Sequence, residues 1–491
     1  MLFLYALAKP IILSSSGEAF ADSQTNSSTL FDPITGECDD IKGCRTVTGI
    51  LWSCLSVIFI CTWVAIHPNI PKVGTHSAVV VFNNVMLMMT AVLAPEIMVL
   101  WAMRQRASAK AIGKKFEKYG WGITHGFFVI MGGFALYDGN EFCGYLWDSR
   151  DPLWQEGVEL YEGRIRSYHQ YIQKAPESAL SRQENGTTIH IPSDASCLLE
   201  FLVAKGYITL TEDEIRGNFS HGDVFTKSIA VVQTLWFILQ VAARGKQGLA
   251  ISELEIITVG FAVLNFGTYF LWWKKPVRVR HPIRIYWRPQ ETETTRKPKG
   301  SQSRWNSFRV AVATVIEHIY SPGNPKSGVD WAKLICLPIA IVLHVFFICD
   351  SILSDKNDYG LDILISSRLE SVPVLLYVAV YGLAAIFGVI HCIPWIFSFP
   401  SISEQQLWRI SAVAVAAAPI VMGCLHMYWK RYLGSAPVWL DTGVSILIII
   451  LAVGYAVFRV MLIALAFTAL RNLPPSAYQT VQWTTFIPHI G

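Results

Sequence analysis

The chain has 491 residues, of which 52% are hydrophobic and only 15% are charged, with a formal net charge of +4. The mean hydropathy of +0.39 lies outside the usual range of soluble domains and indicates a membrane protein with several spans. Basic residues cluster beside apolar runs rather than along a stripe with interleaved aromatics, which excludes nucleic acid as a partner. The lipid bilayer is the expected partner.

The first residues, Met1 to Ala21, predict a signal peptide, because a short apolar core is followed by an A-x-A type cleavage site. Lys9 inside the segment leaves an uncleaved anchor as the alternative. A glycosylation sequon at Asn26 and a small disulfide loop between Cys38 and Cys44 agree with a lumenal start. We therefore place the protein in the endoplasmic reticulum or another membrane of the secretory pathway.

Nine apolar runs have about the 20 residues that a transmembrane helix needs. They are Thr48–Ile66, Ala78–Met103, Gly120–Tyr137, Lys227–Ala243, Ile251–Trp273, Lys333–Ile352, Val372–Phe397, Ile410–Trp429 and Val444–Leu470. Nine crossings would put the C-terminal tail in the cytosol, but also the basic stretch 104–118 in the lumen, against the positive-inside tendency. Either the second run is re-entrant at Pro95 or the Gly-rich third run does not span, so seven and eight crossings remain alternatives.

The fold prediction is an all-α, polytopic transmembrane helical bundle of about seven to nine spans with one polar extramembrane insertion. Sequons at Asn185 and Asn218 lie in that insertion, and their use depends on the side it faces. The predicted segments are a signal peptide (1–21), a lumenal N-terminal segment (22–46), first membrane helices (47–137), the polar insertion (138–226), membrane helices (227–273), a basic linker (274–332), C-terminal membrane helices (333–470) and a tail (471–491).

Glu96 is an acid in the middle of an apolar run, directly after a proline. Pro95 lacks a backbone N–H and breaks a helix, so Glu96 lies in the first turn of a half-helix, whose amides stabilise a carboxyl group. Such an acid suits proton donation or ion binding, since ionisable residues at membrane depth are functional candidates. The alternative is a structural pairing with a lysine or arginine of another helix.

Glu253 is the second acid candidate. Glu253 and Glu255 are two residues apart on a predicted helix and point about 200° away from each other, so they are not an acid and base on one face. Ser252 and Glu255 have the spacing of a capping box, which gives Glu255 a structural explanation. Glu253 has no explanation as specific.

Four histidines, His125, His344, His391 and His426, lie in four apolar runs, and Asp350 follows His344 by six residues. We take three of these residues, His125, His344 and Asp350, as candidate binding residues, although an intramembrane histidine more often bonds to a backbone carbonyl. A metal site or a proton relay would need these histidines to converge, which a spacing of one per helix does not show, so we assign no metal site and expect no cofactor. Arg459 needs a partner, which Asp350 or Glu96 would supply.

The chain is rich in aromatic residues, with 17 Trp, 18 Tyr and 26 Phe. Most tryptophans near the ends of apolar runs are typical of the interfacial belt of a membrane protein. Trp101 and Trp272 are also candidates for lining a cavity in which aromatic faces stabilise a cation. A buried acid beside such a cavity is what protonation-initiated cyclisation of a hydrophobic, membrane-soluble prenyl substrate requires.

Several stretches carry a family resemblance: "HPNIP" (His67 to Pro71), "LAPEIMVLWAMRQ", "GLAISELEIITVGFAVLNFGTYFLWWKKP" and the tail "LPPSAYQTVQWTTFIPHI" (Leu473 to Ile490). With the signal-like start, they resemble a group of fungal multi-pass membrane proteins, most of them uncharacterised. That group is similar to the membrane-bound terpene cyclases of fungal meroterpenoid pathways. The resemblance implies an isomerase that closes a prenyl chain or its epoxide, with Glu96 and Glu253 as the candidate acids.

Two other classes of protein share these features. A transporter or channel would use Glu96 and Asp350 as proton or ion ligands, although no internal repeat of the kind found in many transporters is present. A non-catalytic membrane protein would need Glu96 for stability alone. The sequence leaves these alternatives open.

Overall fold

The computed structural model describes residues 44–138, 141–146, 198–204, 208–219, 223–277, 279–288, 304–320, 336–354, 374–432 and 438–483. Helices dominate this part of the chain, and six of them are long and apolar enough to cross a membrane. The all-α polytopic bundle is therefore confirmed. The signal peptide, Cys38, Asn26 and Asn185 lie outside the described residues.

The described helices in chain order are α1 (Val47–Phe59), α2 (Ser77–Leu93), α3 (Pro95–Lys115), α4 (Ile123–Ile130), α5 (Leu198–Ala204), α6 (Glu212–Phe219), α7 (Asp223–Lys246), α8 (Glu253–Leu271), α9 (Arg304–Tyr320), α10 (Leu337–Ser354), α11 (Val374–Ile390), α12 (Ile402–Tyr432) and α13 (Val438–Ala469). A π-helical segment, Ile60–Val64, extends α1, and 3₁₀ turns cover Glu117–Tyr119, Ile393–Ile396 and Pro475–Ala477. The six candidate spans are α1, α7, α8, α11, α12 and α13. In α8, 67% of the apolar stretch is buried, against 17% in α13, so α8 is central and α13 faces lipid.

A small sheet replaces one predicted span. The run Gly120–Tyr137 forms only the eight-residue α4, then turns at Gly132, whose φ of +80° suits glycine, and continues as strand β1 (Phe134–Asp138). Strand β1 pairs antiparallel with β2 (Glu141–Tyr145) and parallel with β3 (Ile283–Arg288). The third run therefore does not span the membrane.

The segment 274–332 is not a plain linker. It supplies β3 to the sheet, and it contains α9, which packs against α2 and α10. The basic composition of the segment did not indicate these elements. Strand β3 mixes arginines with apolar residues, and it is recognisable as a strand only by its pairing with a distant strand. The predicted linker is thus wrong over these two elements.

Helices α2 and α3 form a re-entrant hairpin. They meet at a bend of 113°, so α3 returns toward the face from which α2 enters. Two contacts place both ends at one face: Lys275, just after α8, donates to the carbonyl of His67, which precedes α2, and β1, which follows α3, pairs with β3, which follows α8. The contacts therefore also support a re-entrant second run at Pro95, so both alternatives to nine crossings apply.

The start of α1 and the C-terminal tail lie at the same end of the bundle. The amide of Arg45 donates to the carbonyl of Tyr478 at 2.7 Å, and Cys44 forms a β-bridge with Gln479. The number of crossings between these points must be even, which agrees with six spans and one re-entrant hairpin. Nine crossings, and a tail on the opposite side from the start of the chain, are therefore wrong.

Candidate functional site

The break between α2 and α3 places Glu96 in the buried interior of the bundle. Ala94 leaves the helical region, with φ −144° and ψ 70°, and Pro95 begins α3 where a missing N–H costs nothing. Glu96 is then the second residue of α3, and only 4% of it is exposed. The hairpin thus carries an acid at its tip, as the sequence predicts.

The two carboxyl oxygens of Glu96 differ in their surroundings. The hydroxyl of Tyr455 on α13 donates to Oε1 at 2.9 Å. The other oxygen, Oε2, is buried and has no hydrogen-bond partner in the described part of the chain. A neutral carboxyl group costs far less to bury than a carboxylate, and its own O–H is a donor. The orphaned Oε2 is therefore where a transferable proton would be carried.

Arg459 lies one helical turn after Tyr455 and holds the other side of the break. Its Nε donates to the carbonyl of Leu93 at 3.2 Å, and a terminal nitrogen donates to that of Val92 at 3.3 Å. The last carbonyls of a helix have no intrahelical partner, so a guanidinium ion satisfies them. Arg459 also interacts electrostatically with Glu96, but the two side chains form no direct ion pair.

His391 orients Arg459. Its Nδ1 faces the carbonyl of Phe387 at 2.9 Å, and only an Nδ1–H donates there, so Nε2 is the acceptor for Arg459 at 3.1 Å. The backbone carbonyl of His391 in turn accepts from the indole of Trp408 at 2.9 Å. The network fixes His391 as a neutral imidazole that positions a guanidinium. The predicted partners of Arg459 included Glu96, and its direct contacts are His391 and the two carbonyls.

Two aromatic rings complete this site. The guanidinium carbon of Arg459 is 4.3 Å from the ring centroid of Phe387 and 5.4 Å from that of Phe261. Both distances are within the range of a cation–π contact, and both rings belong to buried residues. The sequence pointed to tryptophans as the cation-stabilising rings, whereas the rings that contact Arg459 are phenylalanines.

Trp101 and Trp272 belong to a different cluster. Their rings meet edge to face at 4.9 Å, and the ammonium of Lys275 lies 5.1 Å and 4.8 Å from their centroids. Lys275 also donates to Asn69 at 3.1 Å and to Gln105 at 2.8 Å. The sequence showed a lysine directly after a tryptophan-rich run end, but nothing in it indicated that this lysine is 1% exposed.

Glu253 and Glu255 differ in their contacts. The capping box is confirmed: Ser252 Oγ accepts from the amide of Glu255, and Glu255 Oε2 accepts from the amide of Ser252 at 2.9 Å. Arg45 binds the same carboxylate with two nitrogens, at 2.6 and 3.1 Å. Glu253 is 3% exposed and has no ion pair or hydrogen bond to another side chain among the described residues. It remains an acid candidate.

Both ring nitrogens of His125 have hydrogen-bond contacts within the chain. Its Nδ1 accepts from the amide of Gly122 at 3.2 Å, and Nε2 contacts the carbonyl of Leu210 at 2.9 Å. Burial lowers the pKa of His125, which keeps the imidazole neutral. Nearby, burial opposes ionisation of Glu212, but the Thr124 hydroxyl at 2.7 Å and neighbouring cations lower its pKa overall. These contacts dock the polar insertion on α4.

The remaining candidates do not join the Glu96 site in the described structure. His344 packs against Phe82 and His318 instead. The side chains of Asp350 and Asn218 lie outside the described structure, and only their backbones, in α10 and α6, are defined. Cys44 forms a disulfide, whose partner lies outside the described residues. No group of three or more His, Cys, Asp or Glu side chains that could hold a metal occurs among the residues described.

Comparison with known proteins gives one match. A family of unknown function (DUF8562) matches residues 172–294, which include most of the polar insertion, α7, α8 and β3. No curated protein and no solved structure matches the chain.

Proposed function

We propose that this membrane protein is an enzyme that cyclises a prenylated, hydrophobic substrate and starts the reaction by proton transfer from Glu96. The observation that carries the proposal is the buried Oε2 of Glu96, which has no partner while Oε1 accepts from Tyr455. A buried acid with one free oxygen is poised to donate to a substrate atom that replaces the missing partner.

The reaction is an isomerisation. The O–H bond of Glu96 breaks, and the proton forms a bond to an alkene carbon or an epoxide oxygen of the substrate. The carbocation that results is attacked by further double bonds, and the last cation loses a proton to water or to the carboxylate of Glu96. The acid is then restored, and the product has an unchanged mass. Glu96 becomes a carboxylate in the first step, and the hydroxyl of Tyr455 and the charge of Arg459 both favour that form.

The charge balance of the proton transfer supports a role for Arg459 in stabilising the carboxylate of Glu96. A carbocation beside a lone guanidinium would be repelled, but the proton transfer creates a carboxylate at the same moment. The pair of Glu96 and Arg459 is then neutral overall. The faces of Phe261 and Phe387, which already contact one cation, stabilise positive charge at this depth. The family resemblance seen in the sequence supports the same substrate class.

A transporter is the second candidate, because a broken helix at membrane depth is a common ion-binding device. In such sites, the carbonyls at the end of the first half-helix bind the transported cation. Here the carbonyls of Val92 and Leu93 bind Arg459, which is part of the chain. The geometry therefore favours proton donation over cation binding at Glu96. A non-catalytic role is the third candidate.

Two observations bear on the orientation of the protein in the membrane. We propose that both the start of α1 and the tail are on the lumenal side. The disulfide at Cys44 suits an oxidising lumen, and the end with Lys115, Lys118 and Lys274 suits the cytosol. The docked polar insertion is then cytosolic. The sequons at Asn185 and Asn218 stay unmodified and the sequon at Asn26 is used, in a membrane of the secretory pathway.

The test of the cyclase compares wild type with Glu96→Gln, Glu253→Gln and the control Glu404→Gln in yeast microsomes. Prenylated phenols, with and without a terminal epoxide, are supplied, and products of unchanged mass but new retention time are sought by mass spectrometry. Protein amounts are equalised first. We expect product from wild type and from the control, and none from Glu96→Gln. Full activity of Glu96→Gln would refute Glu96 as the acid.

The same samples test the other candidates. Proton-dependent flux in liposomes, lost in Glu96→Gln, with no cyclised product from any substrate, would favour the transporter. A lower abundance of Glu96→Gln without a change in product or flux per molecule would favour the non-catalytic role. Removal of glycans by endoglycosidase tests the faces: a mobility shift that persists in Asn26→Gln would contradict the proposed orientation.

A further inference from the structure

A second unexplained polar site lies between helices α9, α10 and α2. His318 on α9 and His344 on α10 approach each other with ring centroids 6.1 Å apart, and the ring of Phe82 on α2 lies 5.4 Å from His344. His344 is 7% exposed. The Nε2 atoms of both histidines are buried and have no hydrogen-bond partner within the described structure. Neither histidine takes part in the site around Glu96.

Two neighbouring orphaned nitrogens need a physical explanation. A buried polar atom without a partner is destabilising, and the costs of two such nitrogens on packed helices add. The hydrophobic side chains of α10 that surround His344 offer no acceptor or donor of their own. A ligand between the two rings would remove the cost, and imidazole nitrogens are the commonest protein ligands of transition metals.

The spacing of the rings suits one metal ion. A bond from an imidazole nitrogen to a metal is about 2 Å long, so two nitrogens on one ion are at most about 4 Å apart. The half-widths of the two rings bring the centroid separation to about 6 Å when the nitrogens lie on opposite sides of the ion. The observed centroid separation of 6.1 Å leaves room for one ion between the two rings.

We propose that His318 and His344 bind a monovalent copper ion. Imidazole is a good ligand for copper, and Cu⁺ can be held by two ligands, the number that the two histidines offer. A singly charged ion costs less to bury than a divalent one, and the positive charge of Lys72, which interacts with His318, adds to the cost for a divalent ion. Zinc would need two more ligands, and no third His, Cys, Asp or Glu of the described structure joins the pair.

The test uses the purified full-length protein in detergent micelles. Cu⁺ held by a coloured chelator is titrated with wild type, His318→Leu, His344→Leu and the control His426→Leu. His426 is on α12 and lies among other aromatic rings. We expect wild type and control to withdraw about one equivalent of Cu⁺ from the chelator. Both other variants should bind at least tenfold more weakly.

Two measurements keep the result interpretable. Size-exclusion profiles verify folding. Where a leucine variant does not fold, His318→Gln or His344→Gln replaces it, since glutamine keeps a polar group but is a poor copper ligand. X-ray absorption of the wild-type complex should show two nitrogen neighbours and no sulfur. Equal binding by all variants, sulfur ligands, or tighter binding of Zn²⁺ than of Cu⁺ would overturn the proposal.

Discussion

The ion pair between Arg45 and Glu255 should contribute strongly to stability, because one partner is almost fully buried. The exposed fractions of the two side chains are 20% and 3%, and two nitrogens of Arg45 bind the carboxylate. Removing one partner of a buried pair costs about 3 to 5 kcal/mol, since a charge is left behind. We expect that cost for Arg45→Met and for Glu255→Gln.

The double variant separates the pair from its other contacts. Arg45 also donates to the carbonyl of Ala477 in the tail, so Arg45→Met loses more than the ion pair. In a double-mutant cycle this loss cancels, and we expect a coupling energy of about 2 kcal/mol or more. The assay is the free energy of unfolding in mixed micelles, from the fraction folded against detergent composition, with all four proteins in one series.

A surface pair provides the matched control. Arg471 and Glu404 lie at the same face of the bundle and are 2.8 Å apart, but their side chains are 64% and 24% exposed. Exposed pairs contribute about 0 to 1 kcal/mol, so their coupling should be small. Equal coupling energies for the two pairs would refute the argument from burial, and so would additive effects of Arg45→Met and Glu255→Gln.

Three further predictions test the packing. Gly388→Ala should destabilise the bundle by about 1 to 3 kcal/mol, because a Cβ there would lie 2.5 Å from the backbone of α12, whereas Gly382→Ala on the same helix meets open space and should be neutral; unfolding in mixed micelles measures both. Lys275→Met should cost about 3 kcal/mol in the same assay, because three buried acceptors lose a charged donor, while exposed Lys274→Met should change stability by less than about 0.5 kcal/mol. Since burial lowers the folded-state pKa of His125, the unfolded state binds its proton more readily, and docking of α6 should weaken as pH falls below about 6.5. The measurement is the hydrogen-exchange protection of the α6 amides relative to their intrinsic exchange rates. A loss of protection at acid pH that is absent in His125→Gln would confirm the prediction.

Features that depend on a few neighbouring residues were predictable from the sequence. The break at Pro95 and the capping box of Ser252 and Glu255 follow from one proline and one four-residue spacing, and the structure contains both. Local rules suffice here because the hydrogen bonds that decide the conformation lie within one helical turn.

Features that join distant residues were not predictable. The strand β3 is recognisable only through its pairing with β1, about 150 residues earlier in the chain. Lys275 appears in sequence as one more basic residue at a run end, although its acceptors come from the residues before α2 and from α3. Crossing number was overestimated for the same reason, since hydropathy measures the length of an apolar run and not the direction in which the chain leaves it.

The spacing of Tyr455 and Arg459 explains why the acid can be held still. These residues are one turn apart on α13, so both side chains lie on one face of a single helix and reach the tip of the hairpin together. One binds the carboxyl group of Glu96, and the other binds the carbonyls at the end of α2. The two half-helices are therefore fixed to the same helix on both sides of the break. A transporter needs such a tip to move between states, whereas a proton donor gains rate from being preorganised, because no reorganisation is then required during the reaction. This double attachment favours an acid catalyst at Glu96.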